Sequence, residues 1–310
     1  MYCFTGGKTG GHIYPLINFI KATKIKSIYV GYKDFLEEKV CNQNNIKFIG
    51  LNYKKGLINI FKCINELDKK LEKYNIEGVI STGGFVSLPL IIYAIKNKIP
   101  IYLYEENTIL GRFNKFMYPF CKKMFLTYPI KRMKKKYKVV GLPMALKPSF
   151  IAYKYDFLII GGSLGSKPLC NLALKLSNNY NVLLIAGRYY DEYKNKVNSI
   201  KYSNEIYELI TASKVVITRG GAMSTYEVMY INRPLIIVPS EKTKGNHQIK
   251  NAKFLSENNC AIMLRENDLF RINSIASKLL NDNQYKDKML KNQKELIVID
   301  SCEKILEEIK

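Results

Sequence analysis

The residues of this 310-residue chain best suited to chemistry are four glycine-bearing turns, two histidines and a few carboxylates, each placed just after an apolar run. The longest such stretch is 215–251, VVITRGGAMSTYEVMYINRPLIIVPSEKTKGNHQIKN. Val215–Thr218 reads as a buried strand broken by Arg219-Gly220-Gly221, and Ala222–Ile231 as the helix that follows. A helix beginning behind two glycines turns unpaired N–H groups and the positive end of its dipole toward whatever lies above the strand, which suits phosphate. Glu227 falls on the second turn of that helix, within reach of a sugar attached to the phosphate. Arg233-Pro234 ends the helix, Leu235–Val238 makes another strand, and the polar loop Pro239–His247 delivers Gln248 and Asn251 onto the next helix. The order is half of a nucleotide-binding α/β unit.

Three further turns repeat the theme. Thr5-Gly6-Gly7-Lys8-Thr9-Gly10-Gly11-His12 follows the first strand, and its four glycines let the backbone approach an anion. It is neither a P-loop, whose leading glycine would fall at Tyr2, nor a GxGxxG dinucleotide turn. Ser81-Thr82-Gly83-Gly84 and Gly161-Gly162-Ser163-Leu164-Gly165-Ser166 also end strands and open helices. Together the four put glycines where open α/β sheets bind ligands, which favours a nucleotide-sugar or phosphate-rich ligand over tight packing alone.

The two histidines, His12 and His247, lie in polar loops. His12, at a helix start, is the better-placed base; the dipole there is expected to lower its pKa and keep the ring neutral. His247, beside Gln248, reads as a hydrogen-bonding or structural residue, and the pair without a cysteine partner makes no metal site. Glu105 and Glu106 end an apolar strand at Ile99–Tyr104, and because adjacent strand residues point oppositely, at most one of them faces a ligand.

The elements that must position these groups alternate strictly. Strands are expected at 2–5, 27–30, 47–51, 78–81, 99–104, 123–127, 138–140, 156–160, 181–185, 215–218, 235–238 and 261–264, with helical patterns such as 12–22, 57–73, 85–96, 168–176, 247–257, 270–280 and 284–294 between them. Such alternation predicts an α/β protein with parallel sheets covered on both faces. Pro143 and Pro148 interrupt the pattern around Met144–Tyr155, which gives two Rossmann-like domains, 1–147 and 148–310.

No run of about 18 apolar residues occurs, so no transmembrane helix is expected. The first strand starts at Tyr2 without a charged-then-apolar leader, so no signal peptide is expected. Seven scattered cysteines without a CxxC read as reduced thiols of a cytoplasmic protein. Residues 1–150 hold 26 Lys+Arg against 9 Asp+Glu, a net +17, whereas the remaining residues hold 23 against 17, a net +6. Lys131–Lys138, KRMKKKYK, places six cations in eight residues beside the aromatic-rich stretch Phe113–Tyr128. That face suits anionic lipid head groups or nucleic acid. A nucleic-acid-binding protein would account for the charge but would leave the glycine turns and Glu227 without a purpose.

GGKTGGHIYP (6–15), STGGFVSLP (81–89), EENTILGRFNK (105–115), GGSLGS (161–166), TRGGAMSTYE (218–227) and NHQIKNA (246–252) occur in the order of one known family. Over almost its whole length the chain resembles the MurG family of GT-B glycosyltransferases, peripheral-membrane enzymes that convert lipid I to lipid II. The resemblance implies a GT-B fold of two Rossmann-like domains whose parallel sheets face a central cleft, with the last helix able to pack back on the first domain. It implies that Thr9, Gly10 and Gly11 face substrate phosphates, that His12 is the base or an acceptor-site residue, and that Asn107 contacts the donor-sugar side. Ser163 would bind donor phosphate, and Ser203 falls where backbone holds uracil. Ala222, Met223, Ser224, Thr225, Tyr226 and Glu227 would bind UDP, with Glu227 on the ribose, Gln248 on the N-acetylglucosamine and Asn251 beside it. The family pattern has a glycine at Lys8 and an arginine near Ala145, so this chain departs at both.

The implied reaction is inverting transfer of N-acetylglucosamine from UDP-N-acetylglucosamine to the muramyl C4 hydroxyl of lipid I, at the anionic cytoplasmic face of the cell membrane. No nucleic acid partner, no resident metal and no required cofactor are expected, since no Asp-X-Asp stands on a plausible loop; stimulation by a divalent cation stays open. Leu57, Ile60, Phe61 and Ile64 are candidates for an apolar membrane patch, although their spacing suits core packing better. The alternatives are a GT-B transferase that glycosylates a diacylglycerol-type lipid from UDP-glucose, a UDP-sugar epimerase, and a degenerate UDP-sugar-binding homologue.

Overall fold

The computed structural model describes residues 1–7, 9–52, 56–144, 151–162 and 164–310, without the side chains of Leu57 and Lys244. Lys8, Ala145 and Ser163, singled out above, lie outside the described residues, as does the expected joint at 147/148. The chain divides into two compact units, Met1–Ala145 with Val298–Lys310, and Leu146–Ile297.

In the first unit the strands are β1 (Tyr2–Gly6), β2 (Ser27–Tyr32), β3 (Phe48–Leu51), β4 (Gly78–Gly83), β5 (Ile101–Glu105), β6 (Lys123–Leu126) and β7 (Tyr137–Val139). They form a parallel sheet in the order β3-β2-β1-β4-β5-β6-β7. Helices α1 (Gly10–Thr23), α2 (Leu36–Gln43), α3 (Leu57–Leu71), α4 (Leu88–Lys96) and α5 (Arg112–Met117) connect them. The inner strands are buried along their whole length, as expected when helices cover both faces of a parallel sheet. On α3 the residues Ile60, Cys63, Ile64, Leu67 and Leu71 recur at helical spacing and are buried against the core. Ile60 and Ile64 are therefore core residues and drop out of the candidate membrane patch, whereas Phe61 and its neighbour Ile58 are exposed.

The second unit has β8 (Tyr155–Ile160), β9 (Val182–Ile185), β10 (Ser199–Ile200), β11 (Ser213–Thr218), β12 (Leu235–Ile237) and β13 (Ile262–Met263), parallel in the order β10-β9-β8-β11-β12-β13. Its helices are α6 (Lys167–Ser177), α7 (Tyr190–Tyr193), α8 (Ile206–Thr211), α9 (Ala222–Tyr230), α10 (His247–Glu257), α11 (Ile272–Asn281) and α12 (Asn283–Leu296). Ser166 caps α6 by accepting a hydrogen bond from the Leu169 N–H at 3.4 Å, and Asp282 caps α12 by accepting from the Tyr285 N–H at 2.9 Å.

The last helix, α13 (Ser301–Ile309), belongs to the first unit. It buries Cys302, Ile305 and Ile309; the Tyr2 hydroxyl donates to the Ile309 carbonyl at 2.8 Å, and Lys123 and Lys138 both reach Glu308. All seven cysteines are buried and unpaired.

Each sheet reverses its winding once. In the first unit the reversal lies between β1 and β4, and in the second between β8 and β11. Ligands of open α/β sheets bind beyond the strand ends at such points. The four glycine turns of the sequence leave these four strands.

Candidate active site

In the first unit β1 hands the chain to the first turn of α1, and β4 lies beside it. Thr82, on β4, donates its hydroxyl to the His12 carbonyl at 2.7 Å. A Cβ on Gly6 would run into the Thr82 hydroxyl and stand 2.7 Å from the same carbonyl, so glycine here lets α1 start hard against β4. The N-cap Thr9 makes no side-chain capping bond, which leaves the first-turn N–H groups of α1 to an anion. Thr9 is exposed, and Gly10, Gly11 and His12 are half-exposed.

His12 Nδ1 lies 3.0 Å from Glu106 Oε1. This corrects the expectation of a ring kept neutral by the helix dipole. The Glu106 charge outweighs the cost of burial and raises the His12 pKa to about 9, with Glu105 adding to it, so in neutral solution the ring is an imidazolium paired with a carboxylate. Glu105 points the other way. Its Oε2 accepts from the Gly111 N–H at 2.8 Å and from Asn114 Nδ2 at 2.9 Å, and its Oε1 accepts from Asn107 Nδ2 at 3.1 Å. Burial, then the neighbouring Glu106 charge, push the Glu105 carboxyl up to about 7. Glu105 therefore builds the 105–114 loop, and Asn107 is part of that scaffold.

In the second unit Arg219 donates to the Val238 carbonyl at 2.9 Å and pairs with Glu266 at 2.7 Å. A Cβ on Gly220 would meet the Gln248 carbonyl, so the start of α10 closes directly over this turn. Asn251 is buried with Nδ2 donating to the Gly220 carbonyl at 3.0 Å. That bond places its amide beneath the turn. Gln248 Oε1 accepts from the Ser240 N–H at 2.9 Å and holds the loop ahead of α10.

No side chain caps α9, whose first-turn N–H groups again suit an anion. Ala222, Thr225 and Tyr226 are buried, and the Thr225 hydroxyl donates to the Gly221 carbonyl at 2.9 Å. Met223, Ser224 and Glu227 are half-exposed and are the side chains of this stretch that a ligand can reach. Desolvation raises the Glu227 carboxyl to about 7. The Tyr207 hydroxyl of α8 donates to Glu227 Oε1 at 3.4 Å, a contact that no sequence motif signalled. Ser203, just before α8, is half-exposed with its hydroxyl accepting from the Glu205 N–H at 3.0 Å. Thr9–His12 with Glu106 thus gather at one reversal point, and Met223, Ser224 and Glu227 at the other.

Solved structures of glycosyltransferases share this architecture. The chain matches MurG of Acinetobacter baumannii with a TM-score of 0.83 at 19% identity, covering 99% of this chain and 98% of that one. It matches CalG4, the calicheamicin glycosyltransferase, with a TM-score of 0.72 at 11% identity over 99% and 97% of the two chains. The fold is GT-B. The glycosyltransferase family 28 N-terminal domain matches residues 2–126, and the C-terminal domain of the same family matches residues 157–305. A UDP-N-acetylglucosamine–N-acetylmuramyl-(pentapeptide) pyrophosphoryl-undecaprenol N-acetylglucosamine transferase from Thermosipho africanus (strain TCF52B) is 33% identical over 302 residues, covering 89% of each chain. A relative of the same name from Clostridium tetani is 30% identical and covers 94% of this chain and 92% of its own. The chain belongs to glycosyltransferase family 28, in its MurG branch.

Proposed function

We propose that the chain is an inverting transferase moving N-acetylglucosamine from UDP-N-acetylglucosamine to the muramyl C4 hydroxyl of lipid I, giving lipid II. The observation that carries this reading is the near full-length match, at 33% identity, to a relative named for that transfer. The second unit takes the donor: the α9 N–H groups hold diphosphate and Glu227 accepts from the ribose hydroxyls. The first unit takes the acceptor, with His12 receiving its hydroxyl proton as the bond from C1 to UDP breaks. The leaving diphosphate is stabilised by helix N-termini. No resident metal or cofactor is assigned to the reaction.

No helix among the described residues is long and apolar enough to cross a membrane. The enzyme works instead as a peripheral protein on the anionic cytoplasmic membrane surface. Ile58 and Phe61 on α3 and the exposed Phe116, Phe120 and Met133 around the 131–138 basic run support that placement. Thr108, Leu110, Lys115, Lys131, Arg132 and Lys134 line a cavity of about 570 Å³ there.

The test is UDP release from UDP-N-acetylglucosamine and from UDP-glucose, with a lipid I analogue or diacylglycerol as acceptor. Release confined to UDP-N-acetylglucosamine with the lipid I analogue is the expected result. Release from UDP-glucose with diacylglycerol would move the function to lipid glycosylation. Saturable UDP binding without release anywhere would mark a non-catalytic homologue.

A further inference from the structure

Of the buried carboxylates described in the first unit, Glu37, Glu105 and Glu106, Glu106 is the one not bonded to the backbone around it. Glu105 spends both oxygens on the loop that follows it. Glu37, packed against Gly7, approaches the Tyr32 N–H at 3.4 Å. Glu308 of α13 is engaged by Lys123 and Lys138. Strands β1 and β4, on which α1 packs, carry no charged side chain. Glu106 alone of these is aimed at His12, with its side chain only 6% exposed. Among the described residues its Oε2 is buried with no hydrogen-bond partner, so the carboxylate is held by its contact with the ring and not by a backbone scaffold. A buried carboxylate in that condition is costly unless it is used.

Because Oε2 is enclosed, a substrate hydroxyl cannot reach it, whereas the His12 side chain remains 31% exposed. We propose that Glu106 is the positioning residue of the transfer: it holds His12 by Nδ1, so that Nε2, on the opposite edge of the ring, meets the acceptor hydroxyl. The inference rests on the transferase reading above. In the step itself the hydroxyl proton passes to Nε2 and the hydroxyl oxygen bonds to C1 of the donor sugar. The C1–O electron pair leaves with UDP, and Glu106 balances the imidazolium that results. The high proton affinity of the paired ring fits this role, and it requires the ring to shed its resting proton before each turnover.

With only two histidines in the chain, ring nitrogen and carbon NMR reports on His12 directly once His247→Asn has assigned the other signal. In the unchanged chain His12 should titrate near 9, and in Glu106→Gln well below that, since burial is then the largest influence left on the ring. The same substitution should lower kcat on the alkaline plateau, where the ring is deprotonated in both proteins, about 10²-fold and move the acid limb of the pH–rate profile down with the ring, leaving the donor KM within about twofold. Glu106→Asp, which keeps the charge, should restore part of kcat and keep the limb high; this also separates the role from a folding defect. A Glu106→Gln protein with an unchanged titration and an unchanged profile would overturn the proposal. A shifted titration with wild-type turnover would overturn it too. If the unchanged chain transferred no sugar while His12 still titrated near 9, the transferase reading would fall and Glu106's role in turnover with it, the ion pair itself remaining established by the titration.

Discussion

The two winding reversals are built alike and equipped differently. At each, a strand runs into glycines and an uncapped helix begins, α1 in the first unit and α9 in the second. The backbone therefore offers the same anion site twice. The side chains then divide the work. Beside α1 stands a charged pair, His12 and Glu106, fit to move a proton; on α9 stands a lone carboxylate, Glu227, steadied by a tyrosine and fit to accept hydrogen bonds. Topology supplies binding, and one or two side chains supply the kind of chemistry.

That division can be broken at either end. The largest effect is expected from His12→Ala, which should lower kcat by about 10²–10⁴-fold while calorimetric UDP affinity stays put. An equal loss of UDP affinity would mean that the two sites are not separate in function. Glu227→Ala should do the opposite, weakening UDP binding by about 1.5–3 kcal/mol through loss of a charged acceptor, with the His12 titration unmoved. Asn251→Ala leaves the Gly220 carbonyl beneath its turn without its donor; a loss of about 1–3 kcal/mol in denaturant unfolding is expected, with a smaller drop in UDP affinity. Wild-type stability without that loss would show that the turn stands unaided.

The smallest effect is a pH dependence confined to the first unit. A ring whose folded pKa is raised to about 9 adds stability that is complete below its unfolded value near 6.5 and is lost as pH climbs through 9. Unfolding midpoints of the unchanged chain should therefore fall relative to Glu106→Gln between pH 6.5 and 9, and parallel curves would sink the pair.

The alternation of strands and helices was legible because buried parallel strands such as β5 and β9 are nearly unbroken apolar runs. Short elements were not. The strand β10 has two residues and the helix α7 four, too few for any period to register. At the site, the glycine turns could be read because close backbone approach admits little else. The state of His12 could not, since it depends on a carboxylate 94 positions away, and the helix dipole argument pointed the wrong way. Tyr207 and the bond from Thr82 to the His12 carbonyl were invisible for the same reason: each acts across space on a residue that shares no local pattern with it. The place of Asn251 after the polar loop could be read, but its bond to Gly220 beneath the turn could not.

The bond between the Tyr2 hydroxyl and the Ile309 carbonyl spans 307 positions of sequence. During synthesis β1 is made well before α13, and every strand of the other unit is made between the two. The first unit must wait, its α13 berth open, while the second is synthesised and free to fold. Long-range closures of this kind slow folding and leave apolar surface uncovered in the interval. That places the period of greatest aggregation risk between the making of β7 and the making of α13, and it makes the first unit the one to watch when production of the chain fails.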